Sequence, residues 1–321
     1  MRVLKPLAIS VFTIIGIAMI LLYESDIPKD VIDTQYRSPS SQFMELENKT
    51  RLHYRDEGNR FGEPILLVHG FGSSLHTWTK WVELLGNDFR IISFDLPGHG
   101  LTGEVPDRDY SLSADIKTIE NLADKLSLEA FTIAGHSMGG SIAWHFAMTN
   151  PDRSKALILI NAAGLTEWHE PYQLPFAFNI LRQGWFAPFA QVVDPYYLIS
   201  AAITEAYNNS PVIDKELILR FYYMNMRKGT RQAMASRSRS MRANGLKKLE
   251  LKKIDLPTLI IWGRQDAIID VAIADNFKPF LNDSTLKIYD KVGHVPMEES
   301  PRISGNDVKK FMLDLRDQTQ E

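Results

Sequence analysis

Ala134-Gly135-His136-Ser137-Met138-Gly139-Gly140 (AGHSMGG) joins an apolar run, Phe131 to Ala134, to a stretch with helical spacing, Ser141 to Met148. One reading is a glycine turn with an incidental serine. The other is a nucleophile: Gly135-x-Ser137-x-Gly139 between a strand and a helix has the spacing that places a serine on a sharp, strained turn. Such a backbone needs neighbours that are nearly free of side chains. It presents the hydroxyl where the free N–H groups at the start of a helix favour developing negative charge. The stretch alone does not decide between the two.

Working outward, short apolar runs recur at Ile65 to Val68, Ile91 to Phe94, Ala156 to Ile160, Thr258 to Trp262 and Leu286 to Tyr289. Runs without alternation suit strands buried on both faces of a parallel sheet. Amphipathic segments lie between them at Trp78 to Leu85, Ser113 to Leu126, Val271 to Leu281 and Val308 to Leu315. This alternation predicts an α/β fold with helices on both sheet faces. Ahead of it, Phe43 to Glu47 and Arg51 to Asp56 alternate around Asn48-Lys49-Thr50 as a hairpin does. The rhythm breaks from Gly164 to Gly245, where aromatics gather (Trp168, Tyr172, Phe176, Phe178, Trp185, Phe186, Phe189, Tyr196 and Tyr197) and a basic stretch runs from Arg227 to Arg242. A mostly helical insertion is expected there, opening from the end of a parallel strand where ligands bind. The basic stretch reads as a solvated helix face, with contact to anionic lipid headgroups as the alternative.

A serine needs a base, and the base needs an orienting group. Of eight histidines, His294 stands in Val292-Gly293-His294-Val295-Pro296, just past the last strand, where a loop can present an imidazole. Asp266, in Trp262-Gly263-Arg264-Gln265-Asp266, follows the preceding strand and is the expected orienting carboxylate. Asp270 is its rival, better explained as a helix cap. His69-Gly70-Phe71-Gly72 directly follows the strand Ile65 to Val68. The backbone N–H groups of Phe71 and Met138 are the expected oxyanion donors. His69 reads as structural, and His136 is expected to point away from the site.

The chain has 321 residues, a net charge of −3 and no cysteine. Disulfides, thiolate catalysis and cysteine metal sites are therefore excluded, and no nucleic-acid partner is indicated. At the N-terminus, Arg2 and Lys5 precede Leu7 to Tyr23, an apolar run just long enough to span a bilayer. A retained anchor over residues 1–23 is expected, with a cleaved signal or a buried helix as alternatives. Positive charge before the run and Glu24, Asp26, Asp30 and Asp33 after it place the main domain on the non-cytoplasmic side, periplasmic in a bacterium. Residues 24–41 read as a tether.

With HGFG, Asp95-Leu96-Pro97-Gly98-His99-Gly100, GHSMGG, Asp266 and His294 in this order, residues 42 to 318 resemble the α/β-hydrolase superfamily, serine esterase/lipase branch. Some monoacylglycerol-lipase-like enzymes similarly carry an N-terminal anchor. The resemblance implies a core of residues 42–163 and 246–321 built on a mostly parallel sheet flanked by helices, and a helical cap at 164–245 after the sixth strand. It implies a catalytic triad of Ser137, Asp266 and His294 that cleaves lipid-like carboxylic esters without cofactor or metal, with Asp95 and His99 structural. Carbon–carbon hydrolases of meta-cleavage products share these motifs and stand as the alternative. A non-catalytic, hydrolase-like receptor or scaffold is the remote one.

Overall fold

A computed structural model of the chain describes residues 22–165, 192–243 and 254–320. Eight strands, β1 (Gln42–Glu45), β2 (Arg51–Gly58), β3 (Pro64–Val68), β4 (Arg90–Phe94), β5 (Phe131–His136), β6 (Ser154–Ile160), β7 (Thr258–Gly263) and β8 (Ser284–Tyr289), form one sheet. Their order is β1-β2-β4-β3-β5-β6-β7-β8. The hairpin β1–β2 joins β4 antiparallel, and every pairing from β4 through β3 to β8 is parallel.

The helices are α1 (Lys29–Tyr36), α2 (Thr79–Leu85), α3 (Leu112–Lys125), α4 (Met138–Thr149), α5 (Tyr196–Ala206), α6 (Lys215–Met226), α7 (Thr230–Ala243), α8 (Ala272–Phe277), α9 (Pro296–Glu299) and α10 (Pro301–Gln320). The apolar strand runs are double-sided because the pleat sends alternate residues into two cores. Leu66, Val68, Ile260 and Trp262 join the core under α3, α4 and α8. Ile65, Leu67, Leu259 and Ile261 join the opposite core with Trp81 of α2 and Met312 of α10. Each such side chain, fully buried, contributes roughly 1.5–3 kcal/mol. Polar caps set the helix starts: the Ser111 hydroxyl accepts from the Ala114 N–H at 3.2 Å, and Asp214 accepts from the Leu217 N–H at 2.7 Å.

The register aligns the carboxyl ends of the central strands. Val68 lies opposite both Phe94 and Gly135, and His136 opposite Ile160. Because β3 has β4 on one side and β5 on the other, the strand order reverses there. The crevice beyond such a reversal is where open α/β sheets hold their ligands.

Between β6 and β7 the described chain is helical, α5 to α7, as expected of a cap. Of the aromatics expected there, Trp168, Tyr172, Phe176, Phe178, Trp185, Phe186 and Phe189 lie outside the described residues. Tyr196 packs edge-on against Tyr197 and Tyr222 at 5.5 Å.

Two expectations need correction. Residues 24–41 are not a free tether: Ile32 of α1 is fully buried, and the Ile27 N–H donates to the Met226 carbonyl at 2.8 Å. Two of the four acidic residues read as flanking charge are cap contacts, with Asp33 on Arg227 at 2.8 Å and Asp26 on Arg231 at 2.7 Å. Nor is the basic stretch one solvated face. Arg227, Arg231 and Arg237 face carboxylates with side chains 3%, 8% and 1% exposed, because a guanidinium leaves water only with a partner. Lys228 and Arg239 are exposed, and the side chain of Arg242 lies outside those described. The anchor expected over residues 1–23 lies outside the described residues apart from Leu22 and Tyr23. Among the described residues, no helix is long and apolar enough to cross a membrane.

Candidate active site

Strand β5 runs straight into Ser137, whose φ of 54° and ψ of −119° form a sharp break before α4. A β-carbon makes this region costly for any residue but glycine, so the surroundings must impose it. They do so through the backbone. The Ser137 N–H donates to the Ile160 carbonyl at 3.0 Å, and its carbonyl accepts from Ala163 at 2.9 Å and Ser141 at 3.2 Å. The flanking glycines have separate jobs. A Cβ at Gly135 would lie against the Gly139 carbonyl oxygen, and one at Gly139 against the carbonyl oxygens of Val68 and His69. Gly140 instead packs on Ala162, beyond the end of β6.

The HGFG loop closes over the serine, since a Cβ on Gly70 would come within 3.1 Å of the Ser137 Cβ. Buried His69 holds this loop: Nδ1–H donates to the Gly70 carbonyl at 2.8 Å, and Nε2 accepts from the Leu96 N–H at 3.0 Å. Burial lowers its pKa to about 4, so it is neutral there. Phe71 meets the His99 ring edge-on at 5.7 Å. Asp95 accepts from the backbone of Leu75 and Leu101 and from His53 Nδ1, each at 2.7 Å. Burial alone would raise its carboxyl, but His53 outweighs it and holds Asp95 well below the carboxylate range. His53 and His76, like His99, thus belong to the scaffold.

Asp266 and His294 meet across the ends of β7 and β8. Oδ2 of buried Asp266 accepts from His294 Nδ1 at 2.8 Å and from the Asn161 amide at 2.6 Å. Its other oxygen accepts from the N–H groups of Ile268 and Ile269 at 2.8 and 3.0 Å. A carboxylate with every lone pair engaged is held in one position. Donation from Nδ1 leaves His294 Nε2 as the acceptor. Asp270, the lesser candidate, is exposed and accepts from the Ala272 N–H at 2.8 Å, just before α8.

The His294 loop is pinned from four sides. The His294 N–H donates to the Ala206 carbonyl of α5 at 2.7 Å, and its own carbonyl accepts from His136 Nε2 at 2.7 Å. The carboxylate of Glu299 accepts from Gly293 and Val295 N–H at 2.8 and 2.9 Å. Burial raises the Glu299 pKa, and the two N–H groups oppose the rise without cancelling it. His136, expected to point elsewhere, thus bonds the backbone of His294. Its ring sits 4.7 Å from the His294 ring, and burial, with His294 beside it, keeps it neutral. Sequence reasoning missed Asn161, Glu299 and this use of His136. The one available signal was a polar residue, Asn161, just past the apolar run Ala156 to Ile160.

Above Met138 the cap contributes Arg237. It holds Asp115 of α3 through two bonds of 2.6 and 2.8 Å, donates to the Pro97 carbonyl at 2.7 Å, and comes within 4.0 Å of Met138 Sδ. Burial raises the Asp115 pKa in spite of this partner.

Fold and site together define a hydrolase. The chain belongs to the alpha/beta hydrolase fold family, which matches residues 63–301. Lipase 3 of Moraxella sp. (strain TA144) is 25% identical to it over 285 residues, 85% of this chain and 84% of that protein. The 2-hydroxy-6-oxo-6-(2'-aminophenyl)hexa-2,4-dienoic acid hydrolase of Metapseudomonas resinovorans is 25% identical over 259 residues, 78% of this chain and 84% of that one. Among solved structures, a membrane phospholipase A shares the fold with a TM-score of 0.74 and 23% identity, over 98% of this chain and 99% of that chain.

Proposed function

We propose that this protein is a serine hydrolase that cleaves carboxylic esters of lipid-like character through an acyl-enzyme on Ser137. The observation that carries the reading is Ser137 held at φ 54° beside Gly70, with the Asp266–His294 pair on the next loops at the same end of the sheet. In the proposed reaction His294 Nε2 takes the hydroxyl proton as Ser137 Oγ attacks the ester carbonyl. The oxyanion is received by the N–H groups of Phe71 and Met138 at the start of α4. Collapse expels the alcohol, which leaves with the proton from His294. Water then attacks the acyl-serine by the same path in reverse. Asp266 holds the imidazole in one tautomer and offsets its charge.

Lipid-like substrates are favoured by the aromatic residues of the cap segment and by the likeness to Lipase 3. Residues 1–23 serve in this proposal as a retained anchor, with the hydrolase domain on the non-cytoplasmic side, on the strength of the apolar run and of Arg2 and Lys5 before it. The test is fluorophosphonate labelling of membrane fractions together with hydrolysis of p-nitrophenyl esters of graded chain length. Labelling lost in Ser137→Ala, with turnover favouring longer chains, supports the reading. No labelling and no turnover at any length would sink it.

Carbon–carbon cleavage of a vinylogous diketone is the second reading, favoured by the likeness to the Metapseudomonas hydrolase. Its named substrate is an acid, which calls for a cation in the pocket. In the described cap, Arg220, Arg227, Arg231 and Arg237 each already face a carboxylate, and this favours the uncharged ester. Loss of a coloured dienol substrate, measured beside ester turnover on one preparation, separates the two.

A further inference from the structure

Arg55 breaks the pattern that the other buried arginines follow. It lies on β2, 7% exposed, and among the described residues no carboxylate stands within ion-pair distance of it. Arg227 and Arg237 both have one. A buried guanidinium without a counter-charge is costly, so an unpaired one calls for an explanation. Its hydrogen bonds are short of partners too. Nε has none, and a terminal nitrogen lies 2.9 Å from His76 Nε2. That ring nitrogen is also 3.0 Å from the Tyr36 carbonyl. A neutral imidazole nitrogen either donates to the carbonyl or accepts from Arg55, and one partner goes without in both cases. His76 offers no counter-charge, since an imidazole is neutral or cationic; burial and the neighbouring Arg55 lower its pKa to about 3, so the ring is neutral here.

Arg55 faces an open cleft of about 660 Å³ between the end of α1, β2 and the first turn of α6. Lys215, the first residue of α6, and Ser38 line the same cleft, and Glu216 is the acidic group on its wall. Glu57 and Asp95 act on Arg55 only through space. None of the cleft's lining residues belongs to the Ser137 site. We infer that this cleft is a binding site for a phosphate group, with Arg55 as its buried counter-charge and Lys215 and Ser38 as further donors. The group can arrive as free phosphate or as the phosphomonoester of a lipid headgroup. The assignment is independent of the ester-hydrolase reading.

The test is calorimetric titration of the full chain with inorganic phosphate and with glycerol 3-phosphate, at an ionic strength matched with chloride. Saturable binding is expected, with Arg55→Met weakening it by about tenfold or more and Lys215→Gln severalfold. Tighter binding of glycerol 3-phosphate assigns the cleft to the headgroup, and tighter binding of inorganic phosphate to the free ion. Should Arg55→Met fail to fold, exposed Lys215 decides: unchanged affinity in Lys215→Gln overturns the proposal. So does the absence of saturable binding in the wild-type protein.

Discussion

The elbow at Ser137 and the seam between cap and core are held by different forces. At the elbow the fixing contacts are backbone hydrogen bonds and close approaches that only glycine permits. Where the cap meets the core and the N-terminal segment, arginine–carboxylate pairs are added to backbone bonds: Arg237 on Asp115 of the core, Arg227 on Asp33 and Arg231 on Asp26. Backbone constraint gives one rigid geometry, which suits groups that must be placed to a fraction of an ångström. Ion pairs tolerate other geometries and respond to salt and pH. The molecule thus puts its candidate chemistry on the rigid side and joins the cap to it in part by charge.

The largest effect that tests this contrast is on the elbow side. Ser137→Ala should lower kcat for p-nitrophenyl esters by up to about a million-fold while the melting temperature holds. A variant that keeps ester turnover would remove the elbow's claim to the chemistry.

Acid should also strike the elbow side first. Burial holds His69 at about 4 and His76 at about 3, and puts His99 and His136 well below the usual range. The folded values lie below the unfolded one, so the unfolded chain binds more protons in the window between them. Stability is then complete above about pH 6.5 and falls as pH drops toward 4, by about 1.4 kcal/mol per pH unit for each histidine. Asp95, held low in the fold, adds a further loss below its ordinary range. Unfolding free energies by urea titration at successive pH values give the slope, and a flat profile from pH 6.5 to 4 contradicts the assignment of neutral buried rings.

On the cap side, Arg237→Met leaves Asp115 buried without its partner and should cost about 3–5 kcal/mol. Adding Asp115→Leu should recover most of that loss, since a buried pair replaced by apolar groups is often neutral. Denaturant unfolding of the single and double variants reads both, and a single-variant cost below about 1 kcal/mol would mean that this pair does not hold the seam. Arg231→Met is the smallest change. Its partner Asp26 is part-exposed, and a cost of roughly 1 kcal/mol, shrinking in high salt, is expected. A salt-independent loss would point to packing rather than charge.

The same contrast explains what could be read before folding. The loops carrying Ser137, Asp266 and His294 were legible because each directly follows an apolar run, and a parallel sheet brings such loops to one edge. Asn161 and Glu299 were not, because nothing local distinguishes a side chain that serves a distant loop from one that faces water. His136 was set aside as a base, and its hold on the His294 backbone, across 158 positions, left no local sign. The basic stretch shows why charge patterns mislead. Arg227, Arg231 and Arg237 were countable, yet their partners lie up to 205 positions away, in a segment read as a tether and in α3.

By itself, then, the sequence determined the strand rhythm, the alternation with helices and the glycines without which Ser137 could not take its backbone conformation. These depend on contacts a few residues apart, on side-chain period and on the absence of a Cβ. Only the tertiary structure decided which carboxylate each of these arginines meets, how the His294 loop is pinned, and that among the described residues no carboxylate stands within ion-pair distance of Arg55. Those outcomes turn on whether two charges far apart in the chain come together out of water, and no local pattern encodes that distance.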